Sequence, residues 1–316
     1  MFYKKQFEVC IDKWLLSKKP VIKETTYSKY ITIIDSHIRP KLGNIPINKI
    51  NSELLSKFVN NEMEYGNLET KGKLNNNTVR EIINILKQIL KYNEIYIQIP
   101  LPHSTKKDIV ILSENERNKL ERYLILNNNR YTFGILLTLY IGILLTLYTG
   151  MRIGEICALK WKNIDLKKKV ITINSTVSRV KNLNNNIQNK TKLIVENAKT
   201  INSIRNIPIP KSLIEILNTV KGKDEYYFLT GSEKIIDPRN YENQYKKILK
   251  CAGINENYSY HTLRHTFATR CIALGFDPKT LQEILGHSNI KITLSLYVHP
   301  TEKMKTTCMN KLILKQ

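Results

Sequence analysis

Residues 134–155 read GILLTLYIGILLTLYTGMRIGE, a long apolar run that ends in the charged residues Arg152 and Glu155. Residues 131–151 carry no charge, and a run of about 20 such residues is long enough to cross a membrane as a helix. The length has another source, because residues 134–141 (GILLTLYI) and 142–149 (GILLTLYT) form a tandem repeat. With one copy removed, the run has the length of a buried core helix. We therefore predict a buried helix and no membrane association.

The repeat also bears on the residue that follows it. Eight residues turn a helix by about 80° beyond two full turns and advance it by about 12 Å, so the two copies cannot present one face to one core. Our hypothesis is that the second copy sets the register of Arg152 while the first lengthens the helix or bulges outward. Deleting residues 134–141 should then leave the fold intact. An insertion directly before Arg152 could also displace that side chain.

The charge of the chain indicates its class of partner. The 316 residues include 50 Lys and Arg against 27 Asp and Glu, which gives a net charge of +23 and a pI of about 9.7. This balance argues against an acidic or neutral metabolic enzyme and favours a polyanionic partner. Five cysteines without a C-x-x-C pair are typical of reduced thiols, and the amino-terminal residues lack the apolar stretch of a signal peptide. We expect a cytoplasmic protein.

The length and a proline-containing link near residue 100 predict two domains, residues 1–103 and 113–316, with a linker at 104–112. In the first domain, helical spacing of apolar residues predicts an opening helix near Phe7 and a second helix from about Thr25 to His37. Two further helices are predicted to begin at the capping residues Ser52 and Thr78. This domain is expected to be a small helical bundle.

The second domain is predicted to be mixed, and mainly α. Ser113 followed by Glu116 has the spacing of a capping box that begins a helix. From residue 170 the apolar period changes to two, and residues 170–180, 193–200 and 203–210 are predicted to form a three-stranded antiparallel sheet. Helices are predicted again from residue 211 onward.

Basic and imidazole side chains form the first candidate site. His261 and Arg264 lie at i and i+3, so a helix would turn both toward one ligand, and a guanidinium suits an anion such as phosphate. Arg152 follows a wholly apolar helix and needs either a ligand or a counter-charge, for which Glu155 at i+3 is available. His265 shares a metal-ligand spacing with His261, but no carboxylate or thiol set completes it. We interpret His265 as a core residue and expect no metal site.

Three more candidates are weak individually. Lys199 lies in NAKTINSIRNIPI, where a hairpin tip could reach into a groove, although a lone hairpin lysine is usually solvated. His287 follows Gly286 at the end of a predicted helix, and Tyr297 lies ten residues further on. A tyrosine among apolar neighbours is more often a core residue than a nucleophile.

The motifs taken in order are far more specific than any one of them. The set T-G-M-R-I-G-E, K-T-x-x-S-x-R, H-x-L-R-H-T-F, L-G-H and a tyrosine ten residues after that histidine resembles the tyrosine recombinase (phage integrase) family. The resemblance covers about residues 110–300, and the T-x-x-x-Y and I-x-P-x-L-G-N-I-P elements of the first half are similar to the core-binding domain of that family. It implies a multidomain, mainly α protein, with a helical SAM-like core-binding domain and a mixed α+β catalytic domain that holds a small antiparallel sheet.

The resemblance also implies a role for each candidate residue. Arg152 and Arg264 would clamp the non-bridging oxygens of the scissile phosphate, Tyr297 would attack phosphorus, and Glu155 would support the arginines from behind. Lys199 would be the general acid on the leaving 5′ oxygen. His261 would accept or donate a proton near the tyrosine, and His287 would hydrogen-bond the phosphate. No metal ion and no other cofactor are expected.

The implied activity is site-specific DNA cleavage and rejoining through a 3′-phosphotyrosyl intermediate, with integration or excision of a mobile element. The implied partners are double-stranded DNA, three further protomers in a homotetramer at synapsis, and possible accessory DNA-bending or excision factors. An alternative is a DNA-binding protein of the same fold that no longer cuts, since the repeat at residues 134–149 adjoins the arginine motif.

Overall fold

The computed structural model describes residues 6–105, 108–128, 135–182, 189–197 and 204–295, together with Thr306 and Met309. The chain divides into two compact units, each with its own hydrophobic core. The first consists of Met1–Asp108 with Arg179–Lys192, and the second of Ile109–Ser178 with Leu193–Gln316.

The first unit packs amphipathic helices around a core that includes Trp14, Ile38 and Leu86. The helices are α1 Phe7–Lys18, α2 Glu24–Ile33, a π-helical turn Ile34–Ile38, α3 Arg39–Leu42, a 3₁₀ turn Ile47–Lys49, α4 Ser52–Tyr65 and α5 Asn76–Tyr92.

Helix α4 begins at Ser52 as predicted, whereas α5 begins at Asn76 rather than at Thr78, and the capping residues of both helices differ from the prediction. The side chain that caps α4 is Asn51, which accepts from the Leu54 N–H, and α5 is capped by Asn75, which accepts from the Asn77 N–H. Asn caps a helix as well as Ser or Thr does, so a cluster of such residues does not show which one takes the position.

The second unit holds the remaining helices. They are α6 Glu114–Asn128, α7 Ile135–Thr149, α8 Ile153–Ala158, a 3₁₀ turn Trp161–Asn163, α9 Lys211–Thr219, α10 Pro238–Cys251, α11 Tyr260–Ala273, α12 Pro278–Leu285 and α13 Ile290–Leu294. The capping box before α6 is confirmed, because the Glu116 carboxylate accepts from the Ser113 N–H and the Ser113 hydroxyl accepts from the Glu116 N–H.

The sheet differs from the prediction. The strands are β1 Ile164–Asp165, β2 Val170–Ile173, β3 Ser175–Lys181, β4 Thr191–Asn197 and β5 Arg205–Pro208. They form an antiparallel sheet in the order β1-β2-β5 and a separate β3-β4 pair, rather than one sheet of the three predicted segments. Residues 170–180 divide at Asn174, whose side chain accepts from Asn163 and Ser175. Alternating hydrophobicity continues through this break and does not show which strands pair.

Helix α7 contains residues 135–141 of the first copy and all of the second, and the hypothesis that the first copy bulges outward is wrong. Leu139 and Ile141 of the first copy are buried, as are their second-copy equivalents Leu147 and Thr149. A helix that is apolar on all sides is buried when neighbours surround it, and α7 packs against α6, α9 and α11. The two copies therefore bury different faces against different neighbours. No helix within the described parts of the chain is long and apolar enough to cross a membrane.

Candidate active site

A pocket of about 310 Å³ in the second unit brings together four of the predicted site residues, which are Arg152, His261, Arg264 and His287. His265 also lines this pocket, so its interpretation as a core residue is wrong. Lys199 and Tyr297, the other two predicted catalytic residues, lie outside the described residues.

Arg264 projects from α11 and is buried, with 3% of its surface exposed. Its Nη1 donates to the Gly150 carbonyl at 2.7 Å and its Nη2 to the Leu285 carbonyl at 2.7 Å. Burial, and then the charge of Arg152, lower the pKa of the guanidinium to about 9, so it is still charged at neutral pH. Both of these acceptors are neutral, and a buried charge of this kind favours an anion in the adjoining pocket.

Arg152 occupies the residue before α8 and has a more open side chain, which is 40% exposed. One edge of its guanidinium is bound, since Nη1 donates to Glu155 Oε1 at 2.9 Å and Nη2 to the Gly286 carbonyl at 3.1 Å. The side chain nevertheless lines the pocket beside Arg264. The repeat therefore does not displace Arg152 from the site.

Glu155 lies behind the two pocket arginines, and its partner Arg205 was not assigned a role from the sequence. Arg205 Nη1 and Nη2 donate to the two carboxylate oxygens at 2.9 and 2.6 Å. Burial by itself would raise the pKa of Glu155, but hydrogen bonds and charge from Arg205, with the charge of Arg152, outweigh it and lower that pKa to about 2. The signal for Arg205 was the last letter of K-T-x-x-S-x-R.

His261 and His287 are both held in the neutral form. Burial lowers the pKa of each ring to about 4, helped by the charge of Arg264 and Arg152. The ring of His261 meets that of His265 edge to face at 4.5 Å between centroids. His287 Nδ1 lies 2.9 Å from the hydroxyl of the buried Thr293, a contact that the sequence did not suggest. At neutral pH each ring has a lone pair that can accept a hydrogen bond or a proton.

The arrangement is suited to binding an oxyanion and to transferring protons while that oxyanion reacts. Two guanidiniums offer N–H groups in the fork geometry that matches phosphate oxygens, and unprotonated imidazoles stand beside them. Within the described residues, no group of three His, Cys, Asp or Glu side chains is placed to hold a metal ion.

Comparison with known proteins agrees with this arrangement. A sequence model of the phage integrase family matches residues 123–304, and one of the phage integrase N-terminal SAM-like domain matches residues 6–63. A XerC-like tyrosine recombinase of Caldanaerobacter subterraneus subsp. tengcongensis is 30% identical, over 94% of this chain and 78% of its own length.

Solved structures show the same fold. The integrase of the transposon Tn1549, in complex with transposon right end DNA, superposes with a TM-score of 0.74 at 21% identity, over 98% of this chain and 99% of that one. A lambda integrase tetramer bound to a Holliday junction gives a TM-score of 0.62 at 16% identity, over 95% of this chain and 80% of that one. The predicted fold, a SAM-like helical domain followed by a mixed catalytic domain, is confirmed.

Proposed function

Since the chain belongs to the phage integrase family of site-specific tyrosine recombinases, we propose that it cleaves and rejoins DNA at a specific site through a 3′-phosphotyrosyl intermediate formed by Tyr297. The observation that carries this proposal is the pocket in which Arg152 and Arg264 meet the neutral imidazoles of His261 and His287.

The arginines have the property that phosphoryl transfer requires. Attack at phosphorus builds negative charge on the non-bridging oxygens, and preorganised cations in a partly buried site stabilise that charge. Arg264 is fixed by two backbone carbonyls, while Arg152 is fixed on one edge only. We assign to both the clamping of the scissile phosphate, with Glu155 holding Arg152 in place.

The imidazoles have complementary roles. A tyrosine hydroxyl with a pKa near 10 is a poor nucleophile at neutral pH and needs a proton acceptor. His261 is unprotonated at that pH and is assigned this task toward Tyr297. The Thr293 hydroxyl can donate to His287 Nδ1, which leaves the His287 proton on Nε2 for a phosphate oxygen. Lys199 is assigned to protonate the leaving 5′ oxygen.

We further propose double-stranded DNA as the substrate and a homotetramer as the assembly that exchanges strands. The net charge of +23 supports a polyanionic substrate. The Tn1549 integrase was solved with transposon DNA, and lambda integrase as a tetramer on a Holliday junction. This likeness supports our proposal that the chain integrates or excises a mobile element.

The test is a denaturing-gel assay for a covalent protein–DNA adduct. Labelled nicked duplexes are tiled across the DNA that flanks the gene, because the ends of a mobile element would lie there, and Tyr297→Phe is the matched control. We expect one duplex to give an adduct that the control lacks. Tight binding of a duplex without any adduct would instead favour the DNA-binding protein that does not cut.

A further inference from the structure

The last two residues of α12 and the glycine that follows them present three consecutive backbone carbonyl groups, and each accepts a hydrogen bond from a different arginine. The donors are Arg205 Nε to Ile284 O at 2.8 Å, Arg264 Nη2 to Leu285 O at 2.7 Å and Arg152 Nη2 to Gly286 O at 3.1 Å. The last carbonyls of a helix lack partners within the helix and carry partial negative charge, so they attract cations. The end of α12 therefore fixes three guanidiniums relative to one another.

Arg205 differs from the other two arginines in having no edge left for a ligand. It does not line the pocket, its side chain is 9% exposed, and Nε, Nη1 and Nη2 all donate to protein atoms. The glycine at position 286 leaves room for the Arg205 side chain, because a β-carbon there would lie only 2.9 Å from Arg205 Nη1. Arg205 can act on a bound phosphate only through its neighbours.

That neighbour is Glu155, whose carboxylate binds both Arg205 and Arg152. Arg205 binds both of its oxygens, while Arg152 donates to it from Nη1 and from its backbone N–H. If Arg205 were absent, Arg152 would be the cation left to neutralise the buried Glu155 carboxylate and would be held more tightly by it. Glu155 would then compete with a phosphate for the same guanidinium.

We propose that Arg205 is a positioning residue of the phosphate site. It neutralises Glu155 and braces the end of α12, so that Arg152 stays available to an anion in the pocket. The nature of that anion, a DNA phosphodiester, rests on the function proposed above.

The variants that test this are Arg205→Gln, which removes the charge, and Arg205→Lys, which keeps the charge but loses the two-pronged contact and serves if the first variant does not fold. Arg205→Gln with Glu155→Gln removes both members of the ion pair. The matched control is Arg117→Gln on α6, because Arg117 is also ion-paired and only 16% exposed but does not line the pocket.

The first readout does not depend on DNA cleavage. Inorganic phosphate is titrated into each protein well below its melting temperature, and binding is followed by the NMR signals of the His287 ring. We expect Arg205→Gln to weaken phosphate binding about tenfold, the loss of roughly one charge-assisted hydrogen bond. The double variant should recover part of this affinity, because a glutamine at position 155 can still accept from Arg152 but carries no charge that competes with phosphate. Arg117→Gln should bind like the wild type. If the folded Arg205 variants bind phosphate as tightly as the wild type, Arg205 is structural only and the proposal is overturned.

The second readout is the single-turnover cleavage rate on the nicked duplex. We expect a loss of about a hundredfold for Arg205→Gln, as for a reacting group displaced by about 1 Å, with DNA affinity falling by no more than the tenfold expected for phosphate. A loss of DNA affinity as large as the loss of cleavage rate would contradict positioning. A wild-type protein that forms no adduct would refute the proposed function, while the phosphate titration would still decide the role of Arg205.

Discussion

Gly150 follows α7, and its carbonyl accepts a hydrogen bond from the pocket residue Arg264. Replacing Gly150 with alanine adds both backbone strain and a packing clash, and a matched control separates the two costs. The φ of +66° at Gly150 is left-handed, which costs a residue with a β-carbon about 1–2 kcal/mol. The added β-carbon of Gly150→Ala would also lie 2.5 Å from Phe267 Cδ1 and 2.7 Å from Leu285 Cδ2. Relieving such overpacking costs about 1–3 kcal/mol. We therefore expect the variant to lose about 2–5 kcal/mol of unfolding free energy.

Gly253 at the end of α10 is the matched control. Its φ is +67°, and a β-carbon there would have no atom within 4 Å, so Gly253→Ala should show the backbone cost alone. The entropy that alanine removes from the unfolded chain is the same for both and cancels. Urea unfolding of the two variants should differ by about 1–3 kcal/mol, the packing cost at Gly150. Equal destabilisation would refute the packing argument.

Three further variants test the site and the repeat. Thr293→Val removes the hydroxyl bonded to His287 Nδ1, so we expect single-turnover cleavage to slow about tenfold, and an unchanged rate would show that this contact does not orient the ring. Because the pKa of Glu155 is lowered in the folded state, its ionisation stabilises the fold at pH values above the ordinary pKa of 4.5, and this stabilisation is lost as the pH falls toward 2. Measured by urea unfolding, the free energy of unfolding of the wild type should therefore fall between pH 5 and pH 2 by up to about 3 kcal/mol more than that of Glu155→Gln. Parallel pH curves for the two proteins would contradict this. Deleting residues 134–141 removes several buried side chains at about 2–5 kcal/mol each, so cooperative unfolding of the second unit should be lost. Deleting residues 142–149 instead gives a chain that differs only in having isoleucine rather than threonine before Gly150, and should behave in the same way; a folded product from either deletion would refute the prediction.

The fold was predictable where the sequence signal depends only on residues close together in the chain. The capping box of Ser113 and Glu116 uses only contacts within one helical turn, and it was read correctly. The sheet was not, because β2 pairs with β5 across more than thirty residues while β3, its neighbour in the chain, pairs elsewhere. Alternation of apolar residues predicts strands, but the choice of partner strand depends on the rest of the core.

In the site, too, residues in short motifs were predictable and contacts between distant residues were not. Arg152, Arg264, His261 and His287 belong to short ordered motifs, and the pocket brings them together. Thr293 was missed because its contact with His287 forms only on folding. Arg205 ends the motif K-T-x-x-S-x-R, but its contacts with Glu155 and the Ile284 carbonyl also form only on folding, and the motif alone did not indicate them.

The repeat in α7 shows why a period alone cannot decide which residues are buried. Thr138 and Thr146 are equivalent in the two copies, yet one hydroxyl donates to the Leu229 carbonyl and the other lies 2.7 Å from the hydroxyl of Tyr260. The rotation of about 80° between copies excludes a shared face but not a shared core, because a central helix has neighbours on every side. The second copy ends at Thr149, directly before Gly150, whose carbonyl binds Arg264. The first copy adds about two turns at the far end of this helix, and so lengthens the core without moving the end that holds the guanidinium.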